Sequence, residues 1–139
     1  MVVDSVGTLI GNVLGFTFDG SQHVLPNVVL QRNGRAVGVV VTPNGFEGSG
    51  ASLSYESLNC TGTPYLDGDF TTLILPATIE GPGHTVYVPD TSATPRPVAA
   101  QSLLMQGACF SWLSNLQSAV PAIPLVDLDT LYAPPFTVR

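Results

Sequence analysis

The chain has 139 residues, 45% hydrophobic and only 10% charged, with a formal net charge of −6 and four arginines as its only Lys/Arg cations. So little positive charge excludes a nucleic-acid binder, which needs clustered Lys and Arg for phosphate contacts, and it disfavours anionic lipid. Low charge with high apolar content is the reverse of disorder, and the length suits a single domain, residues 1–139, that can bury a real core.

In chain order the pattern is strand-like almost throughout. Gly and Pro interrupt it every few residues and leave no room for a normal helix over most of the chain. Val2 to Leu9 alternates weakly, and its start lacks the basic region and apolar run of a signal peptide. Either an export signal has been removed or the protein leaves the cell by another route. Leu14, Phe16 and Phe18 share one face at period two, and Asp19-Gly20 reads as a turn. Val28 to Arg32 and Arg35 to Val41 flank Asn33-Gly34, the signature of a type I′ hairpin, since both turn residues need positive φ.

Thr42 to Gly45 is a second turn, Ala51 to Ser57 a strand, and Asn59 to Pro64 a turn carrying Cys60. Phe70 to Leu75 and His84 to Val88 are short strands, each stopped by a proline, and Val98 to Met105 is a strand or a helix start. From Cys109 to Val120, Leu113, Leu116 and Val120 fall at i, i+3 and i+7, which predicts one short helix at Phe110–Ala119, ended by Pro121. A last strand follows at Phe136 to Val138. The apolar runs are too short and broken to span a bilayer. Frequent short strands predict a mainly β fold, an antiparallel sandwich or barrel-like domain with that one helix.

Few residues carry recognisable chemistry. Cys60 and Cys109 are the only cysteines, and with two separated histidines they make no zinc set. They pair as a disulfide in an oxidising compartment or stay as buried thiols in a reducing one; the composition favours the first. His23 and His84 sit in no catalytic motif and read first as structural residues. Gly48 to Ser52 resembles a nucleophile elbow but has Ala at the second glycine position, and reads as a loop. Asp67 with Asp69, and Asp127 with Asp129, place two acids at i, i+2; each pair could share a cation, but neither has a calcium loop, so turn and cap roles are the expectation. Asn59-Cys60-Thr61 matches a glycosylation sequon only formally. Trp112, Tyr65, Tyr87 and Tyr132 are candidate platforms for a sugar ligand, with core packing as the plainer role for Trp112. No cofactor is predicted.

The segments Val2 to Gly7, Val28 to Phe46, Leu53 to Leu66 and Val126 to Phe136 follow one another in a layout that resembles a class of secreted or surface-exposed bacterial β domains. The Cys-x-Gly-x-Pro-Tyr-Leu core at Cys60 to Leu66 is the most specific part. Members look like C-terminal modules of exported proteins, some after collagen-like or fibre-like stalks. The resemblance implies an extracellular domain and homo-oligomeric assembly, as a trimer or larger, and it implies no reaction. The leading expectation is a non-enzymatic surface or assembly module that self-associates or binds a glycan or protein ligand. A carbohydrate-binding module and a small hydrolase using Asp67, Asp69 or His84 are the alternatives.

Overall fold

The computed structural model describes residues 1–18, 20–48, 52–68 and 73–139. Their strands are β1 (Val2–Val3), β2 (Leu9–Gly11), β3 (Val13–Phe18), β4 (Val24–Arg32), β5 (Arg35–Val41), β6 (Phe46–Gly48), β7 (Leu53–Tyr55), β8 (Tyr65–Asp67), β9 (Leu75–Pro76), β10 (Thr78–Glu80), β11 (Thr85–Pro89), β12 (Arg96–Met105), β13 (Ala108–Asp127) and β14 (Thr137–Val138). A 3₁₀ turn, Leu128–Thr130, lies between β13 and β14.

The strands form sheets in a sandwich-like arrangement. One sheet runs β3-β4-β5-β6, with β9 parallel to β5; the second runs β10-β11-β13-β12-β7-β8; a small third is β14-β1-β2. The β4–β5 hairpin turns at Asn33 (φ 50°) and Gly34 (φ 74°), as its dipeptide requires. Val37, Val39 and Val41 alternate inward from β5 and are buried. They join Val28 and Leu30 of β4 and Val86 and Val88 of β11 in the main core. Burying branched side chains from both sheets is what holds the layers together, at about 1.5–3 kcal/mol for each large apolar side chain. Gly48 lets β6 cross close to the chain before β10: a Cβ there would stand 2.7 Å from the Ala77 carbonyl oxygen.

The helix expected at Phe110–Ala119 is not formed. Those residues belong to β13, which pairs with β12 from Ala108 to Ala119 and with β11 from Ala122 to Asp127. Two register shifts interrupt the period-two pattern of the strand. Ser111 faces Ser102 but Ser114 faces Ala100, and Leu116 faces Val98 but Ala119 faces Arg96. Each shift places three residues of β13 against two of β12, so the inward-facing Leu116 and Ala119 fall three apart, while Leu113 is 80% exposed and shares no buried face with Leu116 and Val120. Ser, Asn, Trp, Phe and Cys are also weak helix formers. Nor does Pro121 end the element, because its carbonyl still accepts from the Asp90 amide at 2.8 Å.

The hairpin joining β12 to β13 turns at Gln106 (φ 51°) and Gly107 (φ 77°), a second positive-φ pair. The disulfide joins Cys60 to Cys109 across 6.0 Å between Cα atoms. Beside it, the fully buried Ser102 hydroxyl accepts from the Cys60 amide at 2.9 Å and donates to the Ser57 carbonyl at 2.6 Å, clamping the cysteine turn onto β12. The expected strand at Phe70 to Leu75 falls partly outside the described residues; its end is β9.

Candidate functional site

A cleft of about 600 Å³ opens where β6 and β10 meet the tip of the β12–β13 hairpin. Its walls include Phe46, Ile79 and Met105, with Glu47, Glu80 and His84 as ionisable groups. Glu80 closes β10 and is only 5% exposed. Its Oε2 accepts from the Gly107 amide at 2.9 Å, tying the hairpin tip to β10. No arginine lines the cleft.

His84 follows the Gly81–Gly83 turn and is held from several sides. Its Nδ1 lies 2.8 Å from Asp129 Oδ1, and its backbone amide donates to Asp127 Oδ1 at 3.1 Å. Since a carboxylate only accepts, Nδ1 carries the proton in that contact. The Phe46 ring meets the imidazole edge-on with centroids 6.1 Å apart. A Cβ on Gly45 would come 2.9 Å from Nε2, so glycine is what allows that approach. Asp127 also caps the 3₁₀ turn by accepting from the Asp129 amide at 3.0 Å. The pair Asp127 and Asp129 thus does capping and His-orienting work, and among the described residues no group of three His, Cys, Asp or Glu could hold a metal ion.

The other sequence candidates are scattered. Asp67 is exposed and accepts from the Ser118 amide at 2.8 Å, while Asp69 lies outside the described residues. His23 is exposed, far along the chain from the cleft residues, and bonded to a neighbour. Tyr65 is buried in a small cluster with Val98 and Leu116, and its hydroxyl accepts from Arg96 Nη2 at 2.7 Å. Arg96 also reaches Glu56 Oε1 at 3.2 Å, and both partners raise its pKa above the ordinary guanidinium value. Tyr87 packs on a different cluster and donates to the Gly81 carbonyl at 3.1 Å. Tyr132 packs on the main core, its ring 6.1 Å from Phe46. Trp112 is 60% exposed on β13. The four aromatic residues therefore do not share one surface cluster.

Two features were not legible in the sequence, Glu80 and the exposure of the apolar face that Leu14, Phe16 and Phe18 share. Glu80 was hidden because an acid in a short strand carries no motif. On β3, Leu14, Phe16 and Phe18 are 65%, 62% and 68% exposed. Phe16 stands opposite Pro26 and Phe18 opposite Val24, so these residues form one apolar face. On the opposite face, Thr17 donates to Asn27 at 2.9 Å. β3 lies at the edge of its sheet, paired only to β4 among the described residues.

No helix among the described residues is long and apolar enough to cross a membrane. No protein-family model, curated protein or solved structure matches the chain.

Proposed function

We propose that the chain is a non-enzymatic assembly module of the extracellular space or cell surface, which pairs with a second copy of itself through the edge of β3. The exposed β3 edge carries this reading. An open strand edge offers unpaired amides and carbonyls, and natural proteins normally protect such an edge with charge, proline or a bulge. Here β3 has a single register shift between Val13 and Gly15, beyond which Gly15 to Phe18 pair with β4 in unbroken register, and the strand bears the exposed Leu14, Phe16 and Phe18 with no charge or proline. With Val24 the patch is on the order of 400 Å², a size at which exposed apolar surface marks an interaction site.

A second copy fits for two reasons. Antiparallel pairing of β3 with its equivalent about a two-fold axis extends the sheet and sets the same apolar residues against each other. The face formed by Leu14, Phe16, Phe18, Val24 and Pro26 is uncharged, so two chains of net charge −6 meet there without opposing like charges. The oxidised Cys60–Cys109 pair and the resemblance around Cys60 to Leu66 support the extracellular assignment.

Sedimentation across roughly 1–100 μM is the test, a range set by the micromolar affinities of small interfaces. The native chain should shift from monomer to dimer, and Phe16→Glu should weaken association at least about tenfold by facing two carboxylates. A native chain that stays monomeric throughout, or a Phe16→Glu variant that associates as before, rejects the proposal.

A further inference from the structure

The cleft at the β12–β13 hairpin tip has no role in the pairing of β3. We infer that it binds an aliphatic cation, an alkylammonium or alkylguanidinium group, with Glu80 as the counter-ion. Glu80 is 95% buried by residue surface and lines the cleft. One of its oxygens takes the Gly107 amide; the other has no hydrogen bond among the described residues. The Tyr55 hydroxyl is close enough to interact with its charge, and the neighbouring Tyr87 hydroxyl donates elsewhere, to Gly81. Among the described residues no buried side-chain oxygen lacks a partner, so the Glu80 oxygen without a bond opens into the cleft, where a cation can pair with a carboxylate otherwise shielded from water.

The chain cannot complete the pair from its own lysines, having none, and none of its four arginines lines the cleft. The cation therefore comes from a ligand. A bare metal ion fits poorly, since the described residues provide no three-ligand group and the space of about 600 Å³ is far larger than an ion. An aliphatic stem suits the Phe46, Ile79 and Met105 walls, while its charged head reaches Glu80. Glu47, exposed at the rim, adds negative potential that draws a cation inward.

Titration of the 15N-labelled chain with n-pentylammonium, n-butylguanidinium and uncharged n-pentanol tests this, read at the Glu80, Gly81 and Gly107 amides. Ligands of this size bind near millimolar, so the titrations run to about 50 mM. Both cations should give saturable shifts and pentanol should not. Glu80→Gln keeps an acceptor for the Gly107 amide, and its spectrum reports whether the fold is intact. It should bind the cations about tenfold more weakly, the loss expected when a charge-assisted hydrogen bond becomes a neutral one. Glu47→Gln should change affinity about twofold or less. N-acetyl-lysine amide separates the sources: tighter binding than pentylammonium identifies a protein-borne lysine, weaker binding a free amine, and both sustain the site. Equal shifts with pentanol, unchanged binding in Glu80→Gln, equal weakening in Glu47→Gln, or no saturable shift with either cation overturns it.

Discussion

Asp4 shows how one side chain can close a fold. It is 3% exposed, and its carboxylate accepts from Thr8 at 2.7 Å, Val6 at 3.1 Å and Ala133 at 3.2 Å. It thereby fixes the turn after β1 and ties it to the segment before β14. Burial pushes its pKa up, but the Ala133, Thr8 and Val6 amides outweigh burial and hold the carboxyl below its usual range. The folded pKa is therefore below the unfolded one, so the stabilisation is complete above about pH 4 and fades as pH falls below it. Tyrosine gives the opposite sign. Burial, then the neighbouring Tyr87 and Glu80, raises the pKa of Tyr55; burial raises that of Tyr132, with Arg32 acting against it. Their stabilising effect is present below about pH 10 and lost above it as the buried phenols ionise. Urea midpoints from pH 2 to 11 should thus fall at both ends, the acid limb shrinking in Asp4→Asn and the alkaline limb in Tyr55→Phe. Such residues are hard to read beforehand. Asp4 sits in an unremarkable valine-rich start, and its partner Ala133 lies near the other terminus.

The cysteine pair was legible because two cysteines allow only one intramolecular bridge. In the structure, that bridge fastens the start of β13 to the turn before β8 and closes a span of 49 residues. Chain entropy assigns such a loop about 4 kcal/mol, so urea unfolding with and without reductant should differ by roughly that amount. The β4–β5 hairpin was equally readable from Asn33-Gly34. The β12–β13 hairpin was not: Gln106-Gly107 is a weaker turn signal, and two bulges in the pairing break the period-two pattern of β13. Local pattern carries no information about a bulge imposed by the partner strand. Two glycines test the packing of these elements. Gly48→Ala should cost about 1–3 kcal/mol, because its Cβ meets the Ala77 backbone, which cannot swing away as a side chain could. Gly15→Ala meets nothing within 4 Å and should leave the urea midpoint unchanged or slightly raised.

Across the whole molecule, the sandwich-like β architecture was readable from short strands and closely spaced turns. What faces solvent was not. Period two puts Leu14, Phe16 and Phe18 on one side of β3, yet only the position of β3 at the sheet edge shows that this side is open. The cleft belongs to the same class of feature, since Phe46, Glu80 and Gly107 meet only when separate strands converge. The ends of the chain carry a mechanical consequence. The Met1 ammonium donates to the Arg139 carbonyl at 2.7 Å, the Arg139 amide returns a bond to Met1 at 2.8 Å, and Val2 faces Val138 in an antiparallel ladder. Tension applied at the two termini pulls across that ladder rather than along it. The bonds open one pair at a time, as a zipper does, instead of sharing the load. Unravelling from both ends then runs inward only until it reaches Cys60 and Cys109. There the covalent link carries the force past the loop between the two cysteines, a sequence separation of 49, and the length the molecule can yield under load is capped while that loop stays unextended.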